Sequence, residues 1–242
     1  MKEIKVESLE KQYKGRKVVK GVSLKVSEGE VIGLLGPNGA GKTTTFYMIV
    51  GLVRPNAGTV VLNGENVTTL PMYKRARLGL GYLPQEPSIF KKLTVEDNLR
   101  LLLEVVEPIP PEQFDSRINE LIVDLGLNHV RTSQGYQLSG GEKRRVEIAR
   151  ALSLNPSFIL LDEPFAGVDP IAVAEIQEII KSLKSKGIGI VITDHNVRET
   201  LAITDRSYII HQGEILLSGS PKDVANSEMA KKYYLGKTFE LK

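Results

Sequence analysis

The sequence predicts an α/β fold with a mixed-sheet core, a flanking antiparallel sheet and an inserted helical lobe. Three observations predict it. The unbroken apolar run Val31-Ile32-Gly33-Leu34-Leu35 passes directly into the glycine-rich stretch Gly36 to Thr43. A second apolar run, Phe158 to Leu161, ends on two acids, Asp162 and Glu163. Between them, over about 86–155, apolar spacing is mostly that of amphipathic helices.

The elements follow in order. Ile4, Val6 and Leu9 open with strand-like spacing, and Val18 to Val26 reads as a second strand with Gly29 in the turn after it. Val31 to Leu35 has the composition of a strand covered on both faces, as in a parallel sheet. Thr59 to Leu62 with the Asn63-Gly64 turn predicts a hairpin of the flanking sheet. Thr94 is placed to cap a helix, with Glu96 and Asp97 in its first turn. Val95, Leu99, Leu102, Leu103 and Val106 recur at helical spacing along it, and Pro108, Pro110 and Pro111 break it. Phe114, Ile118, Leu121, Ile122 and Leu125 line a second helix that Gly126 ends. A third helix follows Glu142, with Val146, Ala149 and Leu152 inward and Lys143, Arg144 and Arg145 expected at the solvent. Beyond the strand Phe158 to Leu161, a helix from about Ile171 to Lys186 leads to the buried strand Ile188 to Thr193. Tyr208 to Ile210, the Gln212-Gly213 turn and Ile215 to Leu217 complete the chain. The expectation is one domain over 1–242, with 1–85 and 156–242 as core and antiparallel flank and 86–155 as the helical lobe.

Composition narrows the function classes. Of 242 residues, 41% are hydrophobic, enough for a sizeable core, and 25% are charged, the ordinary share for a globular protein. The net charge of +3 is too small to argue for nucleic acid, which usually demands a concentrated basic stripe, and none is expected as a partner. With no cysteine there is no disulfide, thiolate metal site or cysteine nucleophile. Met1 to Leu9 alternates charged and apolar residues and lacks the apolar centre of a signal peptide. No uncharged apolar stretch reaches the roughly 18–20 residues that span a bilayer. The chain is expected to be intracellular, without direct membrane insertion, and to reach a membrane only through partners.

Gly36-Pro37-Asn38-Gly39-Ala40-Gly41-Lys42-Thr43 matches the phosphate-binding pattern G-x-x-x-x-G-K-S/T, between a buried strand and a helix. Its glycines let backbone N–H groups turn inward on an anion, and the helix N-terminus adds positive potential. Lys42 is the cation for β- and γ-phosphates, the Thr43 hydroxyl suits Mg2+, and Thr44 stands beside it. Asp162 suits the Mg2+ shell, and Glu163 suits a general base for an attacking water. These groups alone would also fit a kinase or a GTPase.

Leu138-Ser139-Gly140-Gly141-Glu142 decides the class. It resembles the LSGGQ signature of ABC ATPases, with Glu142 where the family commonly has Gln. Ser139, the glycine N–H groups and the following helix N-terminus make a second anion site. The resemblance runs along nearly the whole chain in the family's order. It implies adenine stacking on Tyr13, a metal- and water-linking Gln85, and a dimer-crossing loop at Ala166-Gly167-Val168-Asp169. It further implies a γ-phosphate switch at His195. It also implies a homodimer with ATP and Mg2+ at each of two shared sites, each completed by Ser139, Gly140 and Gly141 of the other chain.

Tyr82 to Phe90, Phe165 to Pro170, Thr193 to Thr200 and Tyr234 to Gly236 are similar, more narrowly, to ATPase subunits of lipopolysaccharide export transporters. This implies a peripheral place on the cytoplasmic face of the inner membrane and two integral membrane subunits as partners. ATPases of amino-acid or other small-solute importers share much of the rest and are the alternative. Soluble relatives acting on DNA or ribosomes usually carry two fused cassettes or a long coiled-coil insertion. This chain has one of each motif and no heptad run. Phe90 is either a plug in the helical lobe or an anchor in an exposed groove. Lys91 and Lys92 directly after it favour the groove, and the membrane partners are expected there.

Overall fold

The computed structural model describes residues 2–105 and 110–241. Met1, Val106 and Pro108 of the patterns above lie outside the described residues.

Two sheets organise the chain. The four-stranded antiparallel sheet has the order β2-β1-β4-β5, built from β1 (Glu3–Tyr13), β2 (Arg16–Ser27), β4 (Ala57–Leu62) and β5 (Glu65–Asn66). Its apolar face carries Ile4, Val6, Leu9, Val22, Leu24 and Val26. The three-residue step from Val6 to Leu9 is a bulge: Ser8 takes φ 47° and the register shifts there, so Leu9 turns back into the core. Two-residue turns with both central residues at positive φ close three hairpins, at Lys14-Gly15, Asn63-Gly64 and Gln212-Gly213. Such turns match the strand twist, which is why Gly fills each second position.

The six-stranded sheet has the order β10-β9-β3-β8-β7-β6. Its strands are β3 (Val31–Leu35), β6 (Leu80–Leu83), β7 (Phe158–Asp162), β8 (Gly189–Thr193), β9 (Arg206–His211) and β10 (Glu214–Gly219). All pairs are parallel except the β9–β10 hairpin. Every residue of β3, β7 and β8 is buried, as their unbroken apolar composition requires. Parallel direction also brings the ends of β3, β6, β7 and β8 to one edge. Gly36, Pro84-Gln85, Glu163 and Asp194-His195 therefore leave the sheet together, where ligands of open α/β sheets bind.

Helix α1 (Lys42–Val50) runs back from that edge between the two sheets, burying Phe46, Met48, Ile49 and Val50. The short α2 (Met72–Arg77) sends Arg75, 1% exposed, under the C-terminus of α1. There its guanidinium donates to the carbonyls of Met48, Ile49, Leu70 and Thr68. Helices α3 (Val95–Val105), α4 (Phe114–Asp124) and α5 (Gly140–Leu152) come between β6 and β7 in the chain and share one apolar core. The Thr94 hydroxyl accepts from the Asp97 N–H at 3.0 Å, capping α3. Helix α6 (Pro170–Ser185) covers β8, and α7 (Val197–Leu201) follows it. The chain closes with α8 (Pro221–Asn226), α9 (Glu228–Ala230) and a wide turn over Lys231–Leu235.

One expectation is overturned. Arg144 is 6% exposed, and Lys143 and Arg145 are half-buried rather than open to solvent. The outer side of α5 is covered at this level by the chain leaving β7 and by α6. Arg145 pairs with Glu175 of α6 at 3.1 Å. Arg144 enters the sheet edge, where its charge meets Glu147 at 3.0 Å and the carbonyls of Pro84, Asp162, Glu163 and Pro164.

Candidate functional site

The glycine-rich loop wraps the N-terminus of α1. A Cβ on Gly36 would fall 2.1 Å from the Ile210 carbonyl, so only glycine fits against β9. Gly41 precedes the helix at φ 109°, in a region that favours glycine. Lys42 is buried, its ammonium donating to the carbonyls of Gly36 (2.7 Å) and Pro37 (3.1 Å). Burial lowers its pKa, against the pull of the Glu163 and Asp162 carboxylates. Pro37, Asn38, Gly39 and Ala40 line a polar cavity of about 400 Å3 with Arg16 and Lys17 on its rim. Thr43 and Thr44 remain half-buried at the mouth of the helix.

The acids sit one strand away from the β3 neighbour β8. Asp162 is fully buried, and burial, then the Glu163 charge, raises its pKa to about 6. Its Oδ1 is buried without a hydrogen-bond partner, as is the hydroxyl of Thr193, its register mate on β8. Two orphaned oxygens at adjacent strand ends are a cradle for a hard cation or water. The oxygen-only donors Thr43, Asp162 and Gln85 fit magnesium, which is usually held by one or two carboxylates with the substrate's phosphates. Among the described residues no cluster of three His, Cys, Asp or Glu could hold a metal alone.

Glu163 is 5% exposed and takes φ 51°, a left-handed conformation that costs a non-glycine residue about 1–3 kcal/mol. Its N–H donates to Thr193 O at 2.7 Å, and Arg144 donates to its carbonyl at 2.9 Å, so both backbone groups are fastened. The carboxylate is then met from two loops: Gln85 Nε2 donates to Oε2 at 2.8 Å, and His195 Nε2 lies 2.6 Å from the same atom. Asp194, 1% exposed, accepts from the N–H groups of Phe165 and Asn196, joining the loop after Glu163 to the His195 loop.

Arg144 and Glu147, absent from the sequence reading of the site, hold this cluster from behind. Glu147 is 4% exposed and accepts from the Ser88 and Ile89 N–H groups. The pair thus fastens the Gln85 segment to the chain around Glu163. Glu147 lying three residues after Arg144 on one helix was the available signal.

The signature segment faces elsewhere. Ser139 caps α5, its hydroxyl accepting from the Glu142 N–H while the Glu142 carboxylate accepts from the Ser139 N–H. Glutamate in the fifth signature position thereby completes a capping box. Ser139 and Gly140 are exposed. Gly141 is buried because α6 leaves no room: a Cβ there would stand 2.6 Å from the Ala172 Cβ. The Gly140 position lies against the Gly167 carbonyl, and exposed Asp169 caps α6 by accepting from Ile171 and Ala172 N–H. Among the described residues no hydrogen bond joins Ser139 to the phosphate loop. The fold brings together the loop, Asp162, Glu163, Gln85 and His195, and leaves Ser139, Gly140 and Asp169 exposed on a separate face, with Gly141 buried behind them. Tyr13 is 45% exposed at the β1–β2 hairpin tip, beside Arg16 of the cavity rim.

Phe90 is 43% exposed, its ring 4.5 Å from the Arg150 guanidinium. Near it runs a mainly apolar groove of about 400 Å3 whose lining includes Leu52, Met72, Tyr82, Pro84, Leu102 and Arg150.

Residues 19–166 match the ABC transporter family. The chain is 56% identical over 235 residues to the lipopolysaccharide export system ATP-binding protein LptB of Haemophilus influenzae, covering 97% of this chain and 98% of that protein. It is 54% identical over 241 residues to the Escherichia coli protein of that name, covering all of both. Among solved structures, an ATP-binding cassette of an ABC transporter in its ADP conformation superposes with TM-score 0.87 at 29% identity, covering 98% of this chain and 100% of that one. A dimeric cassette in a post-hydrolysis state bound to ADP and Pi superposes with TM-score 0.79 at 27% identity, covering 90% and 98%.

Proposed function

The chain belongs to the ABC transporter family of ATPases, and on that premise we propose that two copies hydrolyse ATP to drive lipopolysaccharide export by membrane subunits carried on other chains. The full-length identity to two LptB proteins carries the reading of the cargo and favours it over small-solute import. Among the described residues no helix is long and apolar enough to cross a membrane. The reading puts the subunit at the cytoplasmic face of the inner membrane, held there by those membrane subunits. One ATPase domain spans 1–242, with 86–155 as its helical lobe.

In this reading the Gly36–Thr44 loop binds the phosphates and the Tyr13 ring stacks on adenine. Lys42 leaves the Gly36 and Pro37 carbonyls for the β- and γ-phosphates. Thr43, Asp162 and Gln85 would hold Mg2+, which would supply positive charge against the phosphates. Glu163 takes a proton from the attacking water as its oxygen bonds to the γ-phosphorus and the β–γ bridge breaks, giving ADP and phosphate. His195 and Gln85 hold the Glu163 carboxylate in line, and His195 turns to the γ-phosphate when it is present. Ser139, Gly140, Gly141 and Asp169 complete the site of the second copy; the exposure of Ser139, Gly140 and Asp169 supports this, and buried Gly141 contributes through the backbone at the start of α5. Closure of the dimer on ATP and its release on hydrolysis supply the stroke.

The groove by Phe90 is the seat of a cytoplasmic helix of each of two membrane subunits. Its apolar wall with Arg150, and the exposed Lys91 and Lys92 that follow Phe90 in the chain, suit a helix with one apolar face and acidic flanks. The test is exchange: this chain replaces LptB in Escherichia coli cells depleted of their own, and lipopolysaccharide arrival at the cell surface is measured. Restored arrival with the parental chain and not with Lys42→Ala supports the reading. No restoration, with the chain shown to assemble with the host's membrane subunits, contradicts it.

A further inference from the structure

Tyr82 belongs to two places at once. It lines the groove together with Leu52, Met72 and Pro84. Its hydroxyl stands 3.5 Å from Asp162 Oδ2, with the Tyr47 hydroxyl of α1 beside it. We propose that Tyr82 is a positioning residue that transmits occupancy of the groove to the Asp162 carboxylate. The proposal rests on the reading of the groove as the membrane subunit's seat.

The geometry supports a direct link. Tyr82 is register partner to Leu160 of β7, two residues before Asp162, so ring and carboxylate stand on neighbouring strands. Among the described residues, no other side chain bonds to the Asp162 carboxylate, whose Oδ1 has no partner. A separation of 3.5 Å lies at the outer limit of a hydrogen bond, and O–H···O bonds strengthen steeply toward 2.7–2.8 Å. A helix seated in the groove bears on the ring, and a tyrosine has two side-chain torsions to absorb the push. A displacement of a few tenths of an ångström therefore reaches the hydroxyl and shortens the bond. Hydrogen bonds behind a metal ligand orient it, and their loss typically weakens metal affinity by about 10–100-fold. This route differs from the one through Gln85, which acts on Glu163.

The experiment measures Mn2+ binding by electron paramagnetic resonance, with a non-hydrolysable ATP analogue, for the free subunit and for the complex assembled with its membrane subunits. In the parental protein, assembly should tighten Mn2+ binding several-fold. Tyr82→Phe keeps the ring and removes one oxygen. It should weaken Mn2+ binding about tenfold in the free subunit and abolish the difference between free and assembled forms. Analogue binding in EDTA should be unchanged. Parental Mn2+ affinity in the Tyr82→Phe subunit, a retained gain on assembly, or an equal loss of binding in EDTA would each overturn the proposal. The groove itself is judged separately: a Phe90→Ala subunit that assembles as tightly as the parent removes the groove reading without touching the free-subunit result.

Discussion

His195 Nε2 and Glu163 Oε2 lie 2.6 Å apart, the imidazole half-open to solvent and the carboxylate buried. Together with Gln85 this gives the carboxylate one direction to face. Glu163→Gln keeps the shape and removes the basicity, so steady-state phosphate release should fall on the order of 10²–10⁴-fold while ATP binding persists. The variant should accumulate as an ATP-bound dimer by gel filtration. Turnover near the parental rate would remove Glu163 from the role of base.

Asp162 gives the nucleotide-free subunit a pH signature. Its folded-state pKa, raised to about 6 by burial and then by Glu163, lies above the usual carboxylate value near 3.9. Protonation therefore favours folding. That contribution is fully present below about pH 4 and is lost as pH rises through about 6. Asp162→Asn carries no such term. In EDTA, the melting temperature of the variant minus that of the parent should grow between about pH 5 and about pH 7.5. A difference independent of pH would contradict the buried, unpaired state of the carboxylate.

Arg144 and Glu147 form a pair whose side chains are 7% and 3% exposed. Arg144→Met strands the Glu147 charge and unfastens the Glu163 carbonyl. Breaking a buried pair typically costs about 3–5 kcal/mol, read here by urea denaturation, and hydrolysis should slow with it. Glu147→Gln should cost less, because an amide oxygen still accepts from Ser88 and Ile89. The reverse order of the two variants would contradict the arrangement.

What the sequence made legible was contiguous. The phosphate loop, the signature and the acid pair each occupy a few successive residues, so residue type and spacing carry them. The helical lobe was legible through its periodicity, and the Asn63-Gly64 and Gln212-Gly213 turns through their chemistry. Arg144 was misplaced because a helix's charged face reads as solvated until another element covers it. Arg75 and Tyr82 were missed for a related reason: their partners lie in other elements, so no local pattern marks them. The bulge at Ser8 shows the same limit, since Ile4, Val6 and Leu9 share a face only with the extra residue.

Phe90 is where the proposed assembly contact can be tested apart from folding. The ring is half-exposed, so Phe90→Ala should leave the melting temperature and the ATPase rate of the free subunit close to the parent's. Truncating a central aromatic anchor costs about 2 kcal/mol or more of binding, which a pull-down with the membrane subunits reads as roughly 30-fold. A large drop in melting temperature with normal assembly would make Phe90 a core residue.

The central claim is that each ATP site is built from two chains. Lys42→Ala damages the phosphate loop, and Ser139→Ala damages the site that the signature completes on the other copy. The two variants mixed give a heterodimer with one doubly damaged site and one intact site. The decisive measurement is the ATPase rate of that mixture, with heterodimers verified by mass. Activity well above that of either variant alone is the result predicted, and activity no higher than theirs would contradict the shared site.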